Sequence, residues 1–279
     1  MCHLATVVGG KAANLSRLSS VHRVPPGFCL STDAFVRWSG ATGLNVPSDL
    51  LRGVADAYRA LAQRCGVPEP SVAVRSSAVD EDGSTASFAG QHETYLNIVG
   101  AQAVAEAVVR CWASARSERA LEYRRNQGLS SQDAKLAVLV QQLVPADTSA
   151  VVFSANPVSG NRGEVLITAS WGLGESVVGG TVTPDTFVVR KDNLAVTQRS
   201  LGDKRRMTVL APGGTEEVDV PRFLRSQFAL TDDQAREAAR LAMSLEETMG
   251  WAADVECAFH DGKLYLLQCR PITTLDQKT

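Results

Sequence analysis

Asp254-Val-Glu-Cys-Ala-Phe-His-Asp-Gly-Lys-Leu-Tyr-Leu-Leu-Gln-Cys-Arg270 reads as two strands joined by a tight turn. Residues 254–259 and 264–269 are rich in apolar and β-forming side chains. Between them, His260-Asp-Gly-Lys supplies the Asp-Gly pair that two-residue hairpin turns favour. Glu256 and Gln268 then lie on facing strands, each flanked by apolar neighbours. Arg270 is two residues beyond Gln268 and Asp254 two before Glu256, so each shares a face with its neighbour. Carboxylate and amide oxygens suit magnesium, which is often shared with substrate phosphates, and Arg270 would add a second cation. The same residues also fit a plain polar face of an antiparallel ladder.

Outward from this hairpin the pattern alternates between helix and strand. A helix is expected over 231–250, and strands over 149–153, 163–169, 186–190 and 194–198. Residues 136–144 form an almost unbroken apolar run, as in a strand buried on both faces, and the run ends at Pro145. Residues 101–127 have the spacing of one long amphipathic helix ending near Gly128. Thr94-Tyr-Leu-Asn-Ile and Ser71-Val-Ala-Val-Arg-Ser-Ser read as strands, with a polar loop at 79–91 between them. Ser48–Cys65 is a helix closed by Gly66-Val-Pro. Ser31-Thr-Asp-Ala-Phe opens another with capping residues, Val24-Pro-Pro-Gly-Phe forces an extended turn, and Gly9-Gly-Lys turns into a short helix. The chain is therefore expected to be α+β in two lobes, 1–144 and 145–279.

Composition narrows the function. A net charge of −2 argues against a nucleic-acid binder, which usually carries a basic surplus. No apolar run approaches the roughly 20 residues of a membrane-spanning helix, so no membrane partner is expected. The first residues lack the layout of a secretory signal, and a cytoplasmic location is expected. The six cysteines show no Cys-x-x-Cys spacing, and Cys257 and Cys269 read as small buried hydrophobes.

Phosphate chemistry needs cations, closely approaching backbone donors and a metal on oxygen ligands. Lys11 follows two glycines at a helix start, where N–H groups favour anions. Arg75 ends an apolar strand and is followed by Ser76, Ser77 and a glycine-bearing loop, a position from which its planar fork can grip phosphate. An arginine there also suits a salt bridge at a sheet edge. Ala86-Ser-Phe-Ala-Gly-Gln-His-Glu-Thr can fold over a triphosphate and donate N–H groups, although no Walker-type Gly-Lys-Ser/Thr follows. His92 within it is expected to position rather than react.

Together these segments resemble the ATP-binding domain shared by phosphoenolpyruvate synthase, pyruvate phosphate dikinase and rifampin phosphotransferase. The resemblance is carried, in that family's order, by Val8-Gly-Gly-Lys-Ala-Ala-Asn-Leu, Val24-Pro-Pro-Gly-Phe, Val74-Arg-Ser-Ser-Ala and Ser87-Phe-Ala-Gly-Gln-His-Glu-Thr. It continues through Val140-Gln-Gln-Leu-Val, Ser154-Ala-Asn-Pro, Gly172-Leu-Gly-Glu and Leu266-Leu-Gln-Cys-Arg-Pro-Ile-Thr. It implies an ATP-grasp fold, two α+β lobes with ATP in the cleft between them, and ATP and Mg2+ as cofactors. By the resemblance, Lys11 and Arg75 contact phosphates, and Gly90, Gln91 and Thr94 belong to the covering loop. Gln141 lies beside the adenine, Glu256 and Gln268 hold magnesium, and Arg270 neutralises charge on the transferring groups.

Two departures matter. Ala12 stands where relatives carry glycine, so the turn is expected to differ there. The sequence also reaches Thr279 without the Ser/Thr-x-His domain of full-length relatives. The resemblance thus implies a partner: a phosphohistidine-domain protein, or a missing C-terminal domain. Its histidine would take the β-phosphoryl of ATP, leave AMP and phosphate, and pass the group to a small-molecule acceptor such as pyruvate or a rifamycin-type antibiotic. The alternative is a stand-alone ATP-grasp kinase or ligase that activates a small molecule directly and releases ADP.

Overall fold

Strand β4 (Leu136–Gln142) is buried at every residue but the last, because it lies inside a sheet whose two faces are both covered. In this computed structural model, which describes residues 3–38, 46–79, 93–118, 122, 125 and 135–275, β4 is flanked on both sides. The antiparallel order is β1 (Gly27–Leu30), β4, β2 (Val72–Ala78), β3 (Thr94–Ile98). Three helices, α2 (Thr32–Trp38), α3 (Ser48–Cys65) and α4 (Ala101–Ser114), supply its core. On α3 the buried residues Leu50, Val54, Tyr58, Leu61 and Ala62 recur at helical spacing. Gly66, left-handed at φ 68, ends the helix as its C-cap. Tyr58 pins the next segment: its hydroxyl donates to the Pro70 carbonyl at 2.8 Å and accepts from the Gly100 N–H at 3.0 Å.

The second sheet is antiparallel throughout, in the order β12 (Lys263–Pro271), β11 (Ala253–His260), β5 (Thr148–Phe153), β6 (Glu164–Trp171), β7 (Asp185–Arg190), β8 (Val196–Ser200). Helix α7 (Asp232–Met249) packs over β5, β6, β7 and β11 through a stripe of Ala235, Ala238, Ala239, Ala242 and Leu245. Small side chains let a helix approach a sheet closely. The helix begins with a capping box, Thr231 with Gln234, and ends at left-handed Gly250. The remaining elements are helix α1 (Ala5–Leu18), a two-stranded ribbon of β9 (Arg206–Ala211) with β10 (Gly214–Asp219), and two single turns, α5 (Glu175–Val178) and α6 (Arg222–Arg225). Asp185 and Lys204 form a fully buried ion pair, and Asp185 also accepts from the N–H groups of Gly202 (2.8 Å) and Ala229 (2.7 Å).

By their internal contacts the residues fall into two units. The first is Met1–Arg17, Pro25–Leu143 and Ala211–Gly214; the second is Leu18–Val24, Val144–Leu210 and Thr215–Thr279. Helix α4 ends at Ser114 instead of running unbroken over 101–127; residues 118, 122 and 125 are again helical, and the others of 119–127 lie outside the described residues. The Ser114 hydroxyl donates back to the Cys111 carbonyl at 2.8 Å, and the N–H groups of Arg116 and Ser117 bond three residues back rather than four. That tightening ends an α-helix. Among the described residues, no helix is long and apolar enough to cross a membrane.

Candidate functional site

In the first unit the glycine turn and the arginine strand meet. Helix α1 (Ala5–Leu18) is broken at Gly9, whose φ of 76 and ψ of 163 are non-helical. A side chain at Gly9 would stand 2.0 Å from the Ser77 carbonyl oxygen and 2.3 Å from its hydroxyl, so both conformation and space demand glycine. Beyond the kink, the Ala12 N–H donates to Ser77 Oγ at 3.2 Å. Lys11, 7 % exposed, extends its ammonium to the Ser76 carbonyl at 3.3 Å. Lys11 is thereby held beside the residue that follows Arg75. The expected disturbance at Ala12 does not arise, because the left-handed position is Gly9 and Ala12 lies in regular helix.

Arg75 sits on β2 opposite Thr94 on β3 and Leu139 on β4. Arg75 does not end its strand, because the ladder with β4 continues through Ala78; Lys11, Arg75 and Thr94 are gathered around the middle of β2 and the start of β3. Beneath them, burial pushes the Cys111 thiol up to about 12 against the pull of the nearby Lys11 ammonium, so this cysteine is inert packing. Gln141, 3 % exposed, donates its amide to the Pro25 carbonyl at 3.1 Å. It pairs with Gly27, where a side chain would meet the Val140 carbonyl oxygen at 2.5 Å. Gln141 therefore ties the Pro-Pro-Gly turn to the sheet. Gly90, Gln91 and His92 lie outside the described residues.

In the second unit the hairpin sets four polar side chains on one face. Asp261 and Gly262 have φ of 48 and 69, and the Asp261 N–H donates to Asp147 Oδ2 at 2.9 Å, which fastens the turn. Glu256 faces Gln268 across the ladder, and Asp254 faces Arg270. A bulge at Glu256/Cys257 gives β12 one extra residue, so the register beyond it is shifted by one. On the opposite face, Cys257 and Cys269 are each 1 % exposed. Burial pushes the Cys257 thiol up to about 12, with Glu256 and Glu237 of α7 adding to the shift; α7 thus covers the Cys257 face and leaves Glu256 and Gln268 on the other.

Arg270 Nε donates to Asp254 Oδ2 at 2.8 Å. Asp254 is 8 % exposed, and its Oδ1 is buried without a hydrogen-bond partner. Burial raises the Asp254 carboxyl above its ordinary range, the Arg270 guanidinium pulls it back, and Glu256 pushes it further up. A carboxylate, an amide oxygen opposite it and a buried carboxylate oxygen with no donor make an oxygen donor set that suits a hard divalent cation. Asp254 as the group that aims Arg270 carries no assignment from the sequence; its place two residues before Glu256 was the available signal. Among the described residues, the group of three His, Cys, Asp or Glu whose ligand atoms lie within 4.8 Å of one another is Asp147, His260 and Asp261, at the hairpin turn, where the Asp147 carboxylate accepts from the Asp261 N–H.

The model of the pyruvate phosphate dikinase AMP/ATP-binding domain matches residues 41–279. Phosphoenolpyruvate synthase of Pyrococcus furiosus is 44% identical over 84% of this chain and 30% of its own length. A probable phosphoenolpyruvate synthase of Methanocaldococcus jannaschii is 38% identical over 96% of the chain and 26% of its own length. Rifampicin phosphotransferase of Streptomyces sviceus is 39% identical over 96% of the chain and 34% of its own length. The chain thus spans about a third or less of these curated relatives. Among solved structures, PH1788 from Pyrococcus horikoshii Ot3 aligns over 96% of this chain and 93% of its own, at 12% identity and a TM-score of 0.45, too distant a likeness to inform function. With a family model covering most of its length, this chain belongs to the pyruvate phosphate dikinase AMP/ATP-binding domain family.

Proposed function

We propose that the chain is the ATP-binding part of a dikinase-type phosphotransferase with an ATP-grasp fold, lobe 1–144 carrying the lysine and arginine phosphate contacts and lobe 145–279 the metal-binding hairpin. Family membership supports ATP as the ligand, and the observation that carries the site is the hairpin register, with Glu256 opposite Gln268 and Asp254 opposite Arg270. Lys11 and Arg75 bind phosphate oxygens, and Thr94 closes the loop formed with Gly90 and Gln91. Gln141 and the turn it holds border the adenine. Glu256 and Gln268 hold magnesium, which, when bound, neutralises phosphate charge and orients the triphosphate. Arg270, aimed by Asp254, faces the charge that develops during transfer. The chain's contribution is positioning and electrostatics, which dominate phosphoryl transfer.

The β-phosphoryl goes to a histidine nitrogen on a separate domain or chain. The α–β and β–γ phosphoanhydride bonds break, one water supplies the oxygen with which the γ-phosphate leaves, and AMP and inorganic phosphate are released. The phosphohistidine then serves a small-molecule acceptor, and a cytoplasmic setting suits this chemistry. The test is a product analysis. The chain is mixed with ATP, magnesium and the separately expressed remainder of the Pyrococcus furiosus phosphoenolpyruvate synthase, and phosphorus NMR follows the nucleotide. AMP and phosphate with a phosphorylated histidine are expected. ADP as the sole nucleotide product would overturn the reading in favour of a direct kinase or ligase.

A further inference from the structure

The first N–H groups of a helical turn have no partner within it. The residue before the turn usually lends a side-chain oxygen to the N–H two or three positions on. In α1 the residue at the break is Gly9, which has no side chain and can carry none, because a Cβ would stand 2.0 Å from the Ser77 carbonyl oxygen. The N–H three positions on is that of Ala12, and it donates to Ser77 Oγ at 3.2 Å. A serine of β2, 65 residues away in the chain, thus does the work of the missing cap.

The register of β2 puts this hydroxyl where it is needed. The ladder with β4 runs unbroken from Val72 to Ala78, so Arg75 and Ser77 share one face and Ser76 points to the other, with Val72, Val74 and Ala78 of the core. The Ser76 hydroxyl is buried there with no hydrogen bond among the described residues, and it is the Ser76 carbonyl that accepts from the Lys11 ammonium. Lys11 therefore has two ties to β2. The ammonium bond alone would leave the base of a four-methylene chain free to shift. The Ala12 N–H belongs to the peptide unit that begins at Lys11, so the Ser77 bond fixes where that chain starts.

We propose that Ser77 is a positioning residue for Lys11: its hydroxyl caps the turn after Gly9 and thereby holds the lysine in place beside Arg75. This rests on the assignment of Lys11 to the phosphates of ATP made above. The test is a double-mutant cycle read by calorimetric titration of ATP. Ser77→Ala should weaken ATP binding about three- to tenfold, the worth of one hydrogen bond. In a Lys11→Met background the same substitution should change binding less than about twofold, because the group it positions is gone. Hydrogen exchange at the Ala12 amide should quicken in Ser77→Ala. Equal losses with and without Lys11 would make Ser77 a general stabilising contact and overturn the inference. So would unchanged affinity in Ser77→Ala beside weak binding in Lys11→Met. If Lys11→Met binds ATP as the native chain does, the phosphate assignment itself fails and the role of Ser77 with it; unaltered Ala12 exchange in Ser77→Ala would overturn the cap independently.

Discussion

Lys11 is nearly buried, and its ammonium donates to the Ser76 carbonyl, next to Arg75 in the chain. A cation placed so, beside Arg75, is expected to gain strongly from an anionic ligand. Lys11→Met, which keeps the apolar stem, should weaken ATP binding about 10- to 100-fold, the worth of a charge-assisted hydrogen bond, with little change in melting temperature. Calorimetric titration of ATP checks this. Asp254 offers a second prediction. Burial holds its folded carboxyl above the ordinary aspartate range, so the folded chain keeps that proton more tightly than the unfolded chain. Its contribution therefore favours folding below the ordinary aspartate range and is withdrawn as the pH rises through the raised value. As the pH falls through that value, the Asp254–Arg270 pair opens and Arg270 loses its aim. Carbon NMR of the Asp254 carboxyl should place its titration above that of exposed aspartates. A midpoint at or below theirs would contradict the account.

At the scale of elements, the glycine break in α1 is the joint that sets Lys11 beside β2. Gly9→Ala must both relieve a left-handed φ and move the Ser77 backbone, and it should cost about 2–5 kcal/mol of stability, read by denaturant unfolding. Tyr58→Phe leaves the Gly100 N–H and the Pro70 carbonyl without their shared partner and should cost about 1–3 kcal/mol. Elements with strong periodicity and clear stops were legible in the sequence. The bounds of α3 follow from its apolar spacing and Gly66, and β3 and the hairpin follow from alternation and Asp-Gly. Three kinds of feature were not. β1 is four half-buried residues after a proline turn, and β9 and β10 are a largely exposed ribbon without a clean apolar face. The end of α4 depends on one serine bonding its own helix, which apolar spacing does not reveal. The bulge in β12 leaves no mark in composition, although it decides which way Gln268 points. Within the candidate site, residue types and rough placement could be read from the chain; the Ser77 contact and the grip on Arg270 could not, because each joins residues distant in sequence.

For the whole molecule, the first unit holds Lys11 and Arg75, and the second holds Arg270 with the proposed metal ligands Glu256 and Gln268. The second unit's fold leans on Asp185, which joins β7 to the 202–204 segment and to Ala229. Asp185→Ala strands a buried ammonium and two N–H donors, and should cost about 3–5 kcal/mol, visible as a large fall in melting temperature. An apolar pair in place of Asp185 and Lys204 would still leave the two N–H groups without acceptors, so it should not restore full stability. The central claim is that ATP binds here with magnesium on the hairpin. Calorimetric titration of ATP into the native chain and into Gln268→Ala, with and without magnesium, tests it most directly. The account predicts that magnesium strengthens binding to the native chain and that most of this gain disappears in Gln268→Ala. No binding of ATP, or an equal magnesium effect in both proteins, would contradict it.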